Sequence, residues 1–226
     1  MPLRVVSCCT YLTGTDGIVW RPRDYDAHDF IMAVKGRTIE GFAQIPCCGR
    51  IHRIDDGSRD AALQLFGRMI ADLAPAEERL TPPVVLVPVP NSACHIGSPL
   101  PPRTRAQAEA LARELGPGAT VWDGLRWIEA LAPARSESGT RDPQTIFERL
   151  AACAKPPPPA SRLVLVDDVL ATGGHLQACA AMIRCWGSLA GLAVAAGRSD
   201  PEQPDDPFAM RVDLLKDFEP RGTRAT

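Results

Sequence analysis

No apolar run in this 226-residue chain is long enough to cross a bilayer. The longest, from Pro82 to Pro90, is short and broken by proline, whereas a spanning helix needs roughly 20 apolar residues. An excess of charge is also missing, since 25 Lys and Arg face 27 Asp and Glu for a net charge of -2. That balance carries no general electrostatic footprint for nucleic acid. Aromatic residues make up only 5% of the chain, and the indoles are Trp20, Trp122, Trp127 and Trp186. A groove for single-stranded nucleic acid needs basic walls and stacking platforms, so nucleic acid is not an expected partner. Cysteine is not scarce, with eight residues, but the Cys-x-x-Cys spacing of a tetrahedral zinc site is absent. The nearest approach is the two vicinal pairs, Cys8 with Cys9 and Cys47 with Cys48, helped by His28 or His52. Cys153, Cys179 and Cys185 fall in helical Ala- and Leu-rich patterns, as small core residues would. Ser7, Cys8, Cys9, Thr10 and Thr13 interrupt the apolar core that an export signal requires. The expectation is a cytoplasmic protein with thiol cysteines and no membrane partner. Hydrophobic content of 45% and this length suit one sizeable domain, or a core with an appendage. No internal repeat is present.

The most informative stretch runs from Leu163 to His175. Leu163, Val164, Leu165 and Val166 read as a strand buried on both faces, as in the interior of a parallel sheet. The strand ends on Asp167 and Asp168. A short loop of Ala171, Thr172, Gly173 and Gly174 follows, and from His175 through Leu176, Ala180, Ile183 and Trp186 the spacing is helical. Glycines let a ligand approach the backbone, and the N–H groups that open a helix attract an anion. Carboxylates beside a bound phosphate would repel it unless they faced hydroxyls or a divalent cation. A sugar diol joined to a phosphate satisfies both halves. Because adjacent strand residues point to opposite faces, both acids reach one sugar only if strand geometry breaks between them.

Elsewhere the chain reads as alternating helices and strands. Residues 1 to 25 suggest short strands or loops. A short helix from Ala27 to Val34 should end near Lys35, Gly36 and Arg37, a basic trio expected to be exposed and to complement the helix dipole, with phosphate contact the competing reading. Ser58 suits the N-cap of a helix from Arg59 to Leu73. Val84 to Pro90 reads as the first buried strand, and its polar end at Asn91 and Ser92 lies where open α/β sheets bind ligands. Arg103 and Arg105 lead into a helix stopped by Gly116, and Ala119 to Trp122 would be a short strand. The polar segment from Ala134 to Gln144 carries Arg135 and Arg141 and could close over a reaction centre. It should lead into a helix of Ile146, Phe147, Leu150 and Cys153. Pro156 to Pro159 form a spacer, Leu189 to Ala196 a further buried strand, and Met210 to Leu215 an edge strand.

The series from Leu163 to His175 resembles the 5-phosphoribosyl-1-pyrophosphate (PRPP) motif of type I phosphoribosyltransferases. The wider order of Val87 to Pro90, Arg103, Arg105, Gln107 to Ala112, Arg135, Thr140, Gln144 and Arg149 is similar to the ComF-like branch of that family, over about residues 60 to 196. The resemblance implies an α/β fold, a Rossmann-like central parallel sheet flanked by helices. A core of residues 58–196 would carry a small hood from the chain ends, 1–57 and 197–226. It implies that Asp167 and Asp168 bind the ribose hydroxyls, that Ala171, Thr172, Gly173, Gly174 and His175 cradle the 5-phosphate, and that Asn91, Ser92, Arg103, Arg105 and Lys35 receive pyrophosphate. Arg135 and Arg141 would supply charge to the leaving group. Mg2+ would bind mainly through PRPP and water near the two acids. The implied reaction moves phosphoribose to a small nitrogenous acceptor, and a homodimer is the implied assembly. His175 stands where the family usually has Thr or Ser. That motivates an alternative, a PRPP- or nucleotide-sensing module without turnover, and the ComF-like branch suggests a further one, an accessory protein of DNA uptake.

Overall fold

The structure is a computed structural model that describes residues 1–13, 17–130, 141–159 and 161–222. In chain order it holds β1 (Leu3–Leu12), α1 (Pro22–Val34), β2 (Phe42–Cys47), β3 (Arg50–Asp55), α2 (Arg59–Ala71), β4 (Val84–Pro88), α3 (Thr104–Leu115) and β5 (Ala119–Val121). There follow β6 (Leu125–Trp127), α4 (Pro143–Glu148), β7 (Leu150–Ala152), β8 (Leu163–Leu170), α5 (Gly174–Cys185), β9 (Ala190–Asp200) and β10 (Arg211–Leu215). Six strands form the main sheet in the order β10-β1-β9-β8-β4-β5. Every neighbouring pair is parallel except β1 with β10. A parallel sheet must be covered on both faces, and this one is. Val164 and Val166 of β8 pack with residues of α1, α2 and α3, such as Phe30, Phe66 and Leu111. Leu163 and Leu165 pack on the other face with α4 and α5, through Ile146, Phe147, Leu176 and Ile183. The result is a mixed, mostly parallel α/β sheet between two helical layers, consistent with a Rossmann-like fold. Among the described residues no helix is long and apolar enough to cross a membrane.

Segments of both chain ends enter the main sheet. β1 lies inside the sheet, parallel to β9 and antiparallel to β10, so residues 3 to 12 belong to the core. The polar residues Ser7 and Thr10 disguise it, since both are buried and neither hydroxyl has a hydrogen-bond partner among the described residues. β9 runs on to Asp200, and β10 forms the sheet edge. The helix anticipated through Cys153 stops at Glu148, because Leu150 enters β7 and pairs with Trp127 of β6. Of the three cysteines read as core, only Cys179 is buried, whereas Cys153 and Cys185 are exposed. Ser58 precedes α2, but its hydroxyl donates to Asp55 rather than capping the helix.

Candidate functional site

A cavity of about 880 Å³ opens along the C-terminal edge of the sheet, the position at which open α/β sheets bind ligands. β8 supplies its middle. Asp167, Asp168 and the loop from Ala171 through His175 all line it. Gly173 has φ +83°, a left-handed conformation that glycine adopts without strain, and a side chain here would strike Leu215 of β10. Gly174, the first residue of α5, sits under the backbone carbonyl of Arg141, which occupies the space a Cβ would take. The two glycines therefore serve the packing of the loop as well as its access to a ligand.

Strand geometry does not break between the acids. β8 continues to Leu170, and alternation carries Asp167 to the α5 face with Leu163 and Leu165, and Asp168 to the opposite face with Val164 and Val166. The phase slips one residue later, where Val169 packs on the same face as Val166 and Leu170 on the other. One diol gripped by both carboxylates from a single face is thus not the arrangement present. Both acids still reach the cavity, since Asp167 Oδ1 accepts the Asp168 backbone N–H at 2.8 Å and so folds toward the strand end.

The two environments differ. Asp168 Oδ2 lies 3.5 Å from Arg103 Nη2 and 4.0 Å from Lys35 Nζ. Burial, and then repulsion from Asp168, push the Asp167 carboxyl up to about 8. The pair as a whole therefore resists carrying two negative charges. His175 meets the edge of Trp127, with ring centroids 5.5 Å apart, and burial lowers its pKa against the pull of Asp168. It presents a neutral ring to the cavity.

The flank beside β4 is built on Asn91. Its Oδ1 accepts the Arg103 backbone N–H at 2.9 Å, its carbonyl accepts Trp127 Nε1–H at 2.9 Å, and the Thr104 hydroxyl donates to Val89 O at 2.7 Å. These bonds fix the start of α3 against the end of β4 and aim Arg103 at Asp168. Asn91, Ser92, Arg103 and Arg141 all line the cavity. Arg105 does not: its side chain runs along α3 to Glu109 at 2.8 Å and to Asp123 at 3.4 Å. Arg135 lies outside the described residues. Lys35, expected in an exposed turn, is only 11% exposed, with its Nζ directed at Asp168 from the end of α1.

Several lining residues escaped sequence reasoning: Arg37, Thr104, and on the far flank Tyr11, Trp20, His28 and Met32. Only the basic trio and an isolated Trp hinted at them. His28, weighed with the cysteine pairs, faces the cavity instead. Cys8 and Cys9 are buried in β1, and Cys48 Sγ donates to Asp72 at 3.0 Å. Among the described residues no group of three or more His, Cys, Asp or Glu is placed to hold a metal ion.

The cavity thus sets Lys35, Arg37, Arg103 and Arg141 around a pair of acids beside a helix start. Its four cations suit an anionic ligand. No protein-family model matches this chain, and no curated protein is significantly similar to it.

Proposed function

We propose that the protein is a PRPP-dependent phosphoribosyltransferase of the type I fold, divergent and ComF-like, that moves phosphoribose to a small nitrogenous acceptor and releases pyrophosphate. The observation that carries this reading is Asp168 held between Lys35 and Arg103 next to the start of α5. A ligand that combines phosphates with sugar hydroxyls is the one that meets both. Ala171 to His175 take the 5-phosphate at the helix start, and Asp168 accepts from a ribose hydroxyl. The Asn91 and Ser92 loop with Arg103, Lys35 and Arg141 receives pyrophosphate, which enters as its magnesium complex. Displacement at the anomeric carbon passes through an oxocarbenium-like state. Held geometry, neutralised leaving-group charge and exclusion of water therefore do more than a protein nucleophile would.

A second reading, a PRPP sensor that binds without turnover, draws on the neutral His175 packed on Trp127 at the phosphate loop. Calorimetric titration with PRPP and Mg2+, paired with pyrophosphate release across a panel of bases and amines, separates the two. Binding with release is expected. Binding without release favours the sensor, and no heat at millimolar ligand removes both.

A further inference from the structure

Away from the cavity, the hairpin of β2 and β3 carries a cluster that the transfer chemistry does not use. Cys47 pairs with Arg50 across the hairpin, so Cys48 and Gly49 alone make the turn. Both have positive φ, +52° and +72°, the signature of the type I′ turn that matches strand twist. Asn, Asp or Gly usually fills its first position, because a larger side chain is strained in the left-handed region. Here Cys48 fills it, the one non-glycine residue with positive φ among the described residues.

That conformation has a chemical result. Successive side chains of a strand point to opposite faces, which would hold the thiols of neighbouring cysteines apart. With Cys48 left-handed, the Cys47 and Cys48 sulfurs stand 3.3 Å apart instead. Cys48 is exposed and Cys47 buried, so one sulfur is open to a dissolved reagent and the other waits behind it. The other vicinal pair has no such access, since Cys8 and Cys9 are both buried and Cys9 Sγ donates to Ala196 O at 3.3 Å.

A third group restrains the pair. Asp72, just past the end of α2, accepts the Cys48 S–H at 3.0 Å. This bond, and after it the contact with Cys47, push the Cys48 thiol up to about 12. The nucleophilic thiolate is therefore scarce at neutral pH. The titratable groups that face Cys48 are Cys47 on β2 and Asp72 on α2, with Cys8 of β1 near enough to Cys47 to feel its charge.

We propose that Cys47 and Cys48 are a redox modification site, at which Cys48 exchanges with a low-molecular-weight disulfide such as oxidised glutathione and Cys47 resolves the adduct into a reversible vicinal disulfide. The Cys48 sulfur attacks one sulfur of the reagent, the reagent's S–S bond breaks, and the departing thiolate takes up the proton that Cys48 gave up. Cys47 then attacks the Cys48 sulfur and expels the second thiolate, which takes up the Cys47 proton. Two protein thiols are oxidised and one disulfide is reduced to two thiols. Adjacent Cα atoms lie about 3.8 Å apart, closer than disulfides prefer, so the product is strained and easily reduced, as reversible bridges are. Asp72 sets the rate of the first step. The site stands whether or not the transferase reading holds.

The test incubates the full chain with oxidised glutathione, quenches with acid and maps the cysteines by peptide mass. In wild type the peptide spanning Cys47 and Cys48 should lose two hydrogens and keep no glutathione, faster at alkaline pH, and dithiothreitol should restore it. Cys47→Ala should stop at a stable glutathione adduct on Cys48. Asp72→Asn removes the carboxylate that holds the proton on sulfur, and should speed the reaction at neutral pH by about tenfold or more. A lasting adduct on Cys48 of wild type overturns the proposal. So does a pair left unmodified, in wild type and Asp72→Asn alike, when the exposed Cys185 has fully reacted. An unchanged rate in Asp72→Asn overturns the restraint by Asp72. Should Cys47→Ala fail to fold, the ratio of adduct to disulfide in wild type decides.

Discussion

Asp168→Asn should move the affinities of two related ligands in different directions. In the wild type the carboxylate neutralises Arg103 at 3.5 Å and Lys35 at 4.0 Å. At the effective dielectric near a protein surface, a pair at such a separation interacts by about 4 kcal/mol before desolvation is counted. Arg103 is 42% exposed, so screening reduces its share to about 1 kcal/mol or less. Lys35, at 11% exposed, retains more. Asparagine keeps the shape and removes the negative charge that competes with an incoming anion for the two cations. Inorganic pyrophosphate, which has no sugar, should therefore bind about tenfold more tightly, equivalent to about 1.4 kcal/mol. PRPP gains the same attraction but loses a hydroxyl-to-carboxylate hydrogen bond worth about 1.5–3 kcal/mol. Its affinity should stay level or fall by up to about tenfold. Calorimetry of both ligands with Mg2+, on wild type and variant, measures the contrast. Equal tightening of both would refute a hydroxyl contact at Asp168 and reduce it to a partner for the cations.

Three further outcomes follow from the same geometry. The raised pKa of Asp167 means that the folded chain binds more protons than the unfolded chain between the ordinary carboxylate range and about 8, so stability should fall as pH rises through that window; thermal unfolding across pH should show the slope, and Asp167→Asn should flatten it. Gly174→Ala forces the Arg141 carbonyl away from the start of α5, so both melting temperature and phosphate affinity should drop, whereas a drop in neither would show that the Arg141 backbone gives way freely. His175→Thr removes the edge-on contact with Trp127, worth about 0.5–1.5 kcal/mol, and supplies a hydroxyl donor. A lower melting temperature with tighter ribose 5-phosphate binding is expected, and weaker binding would make the imidazole itself the phosphate ligand.

The central strand and its loop were legible because each residue there obeys one local rule. Val164 and Val166 face one helical layer, Leu163 and Leu165 the other, and Gly173 marks the turn by its backbone angle. What local rules missed were features decided by distant partners. β1 pairs with segments near the other end of the chain, and its buried Ser7 and Thr10 gave it the look of a loop. The three-residue strands β6 and β7 exist because Trp127 and Leu150 meet across them, and spacing alone had placed Leu150 on a helix. Arg103 and Arg105 look equivalent in sequence. Asn91 turns the first toward Asp168, while Glu109, one turn along α3, draws the second away. The cavity flank of Tyr11, Trp20 and His28 was hardest to read, since these residues come from a strand, a connector and a helix with no shared motif.

The pairing of β1 with both β9 and β10 also bears on how the protein is made. Leu3 lies opposite Leu215, and Arg4 opposite both Leu192 and Leu214, so β1 finds its neighbours only once β9 and β10 have been made. Such high contact order slows folding and leaves a strand edge exposed in the meantime. Synthesis that has reached α5 already supplies the segments of the phosphate loop and the Asn91 flank. The wall carrying Tyr11 must wait for β9, so a nascent chain completes that side of the cavity last.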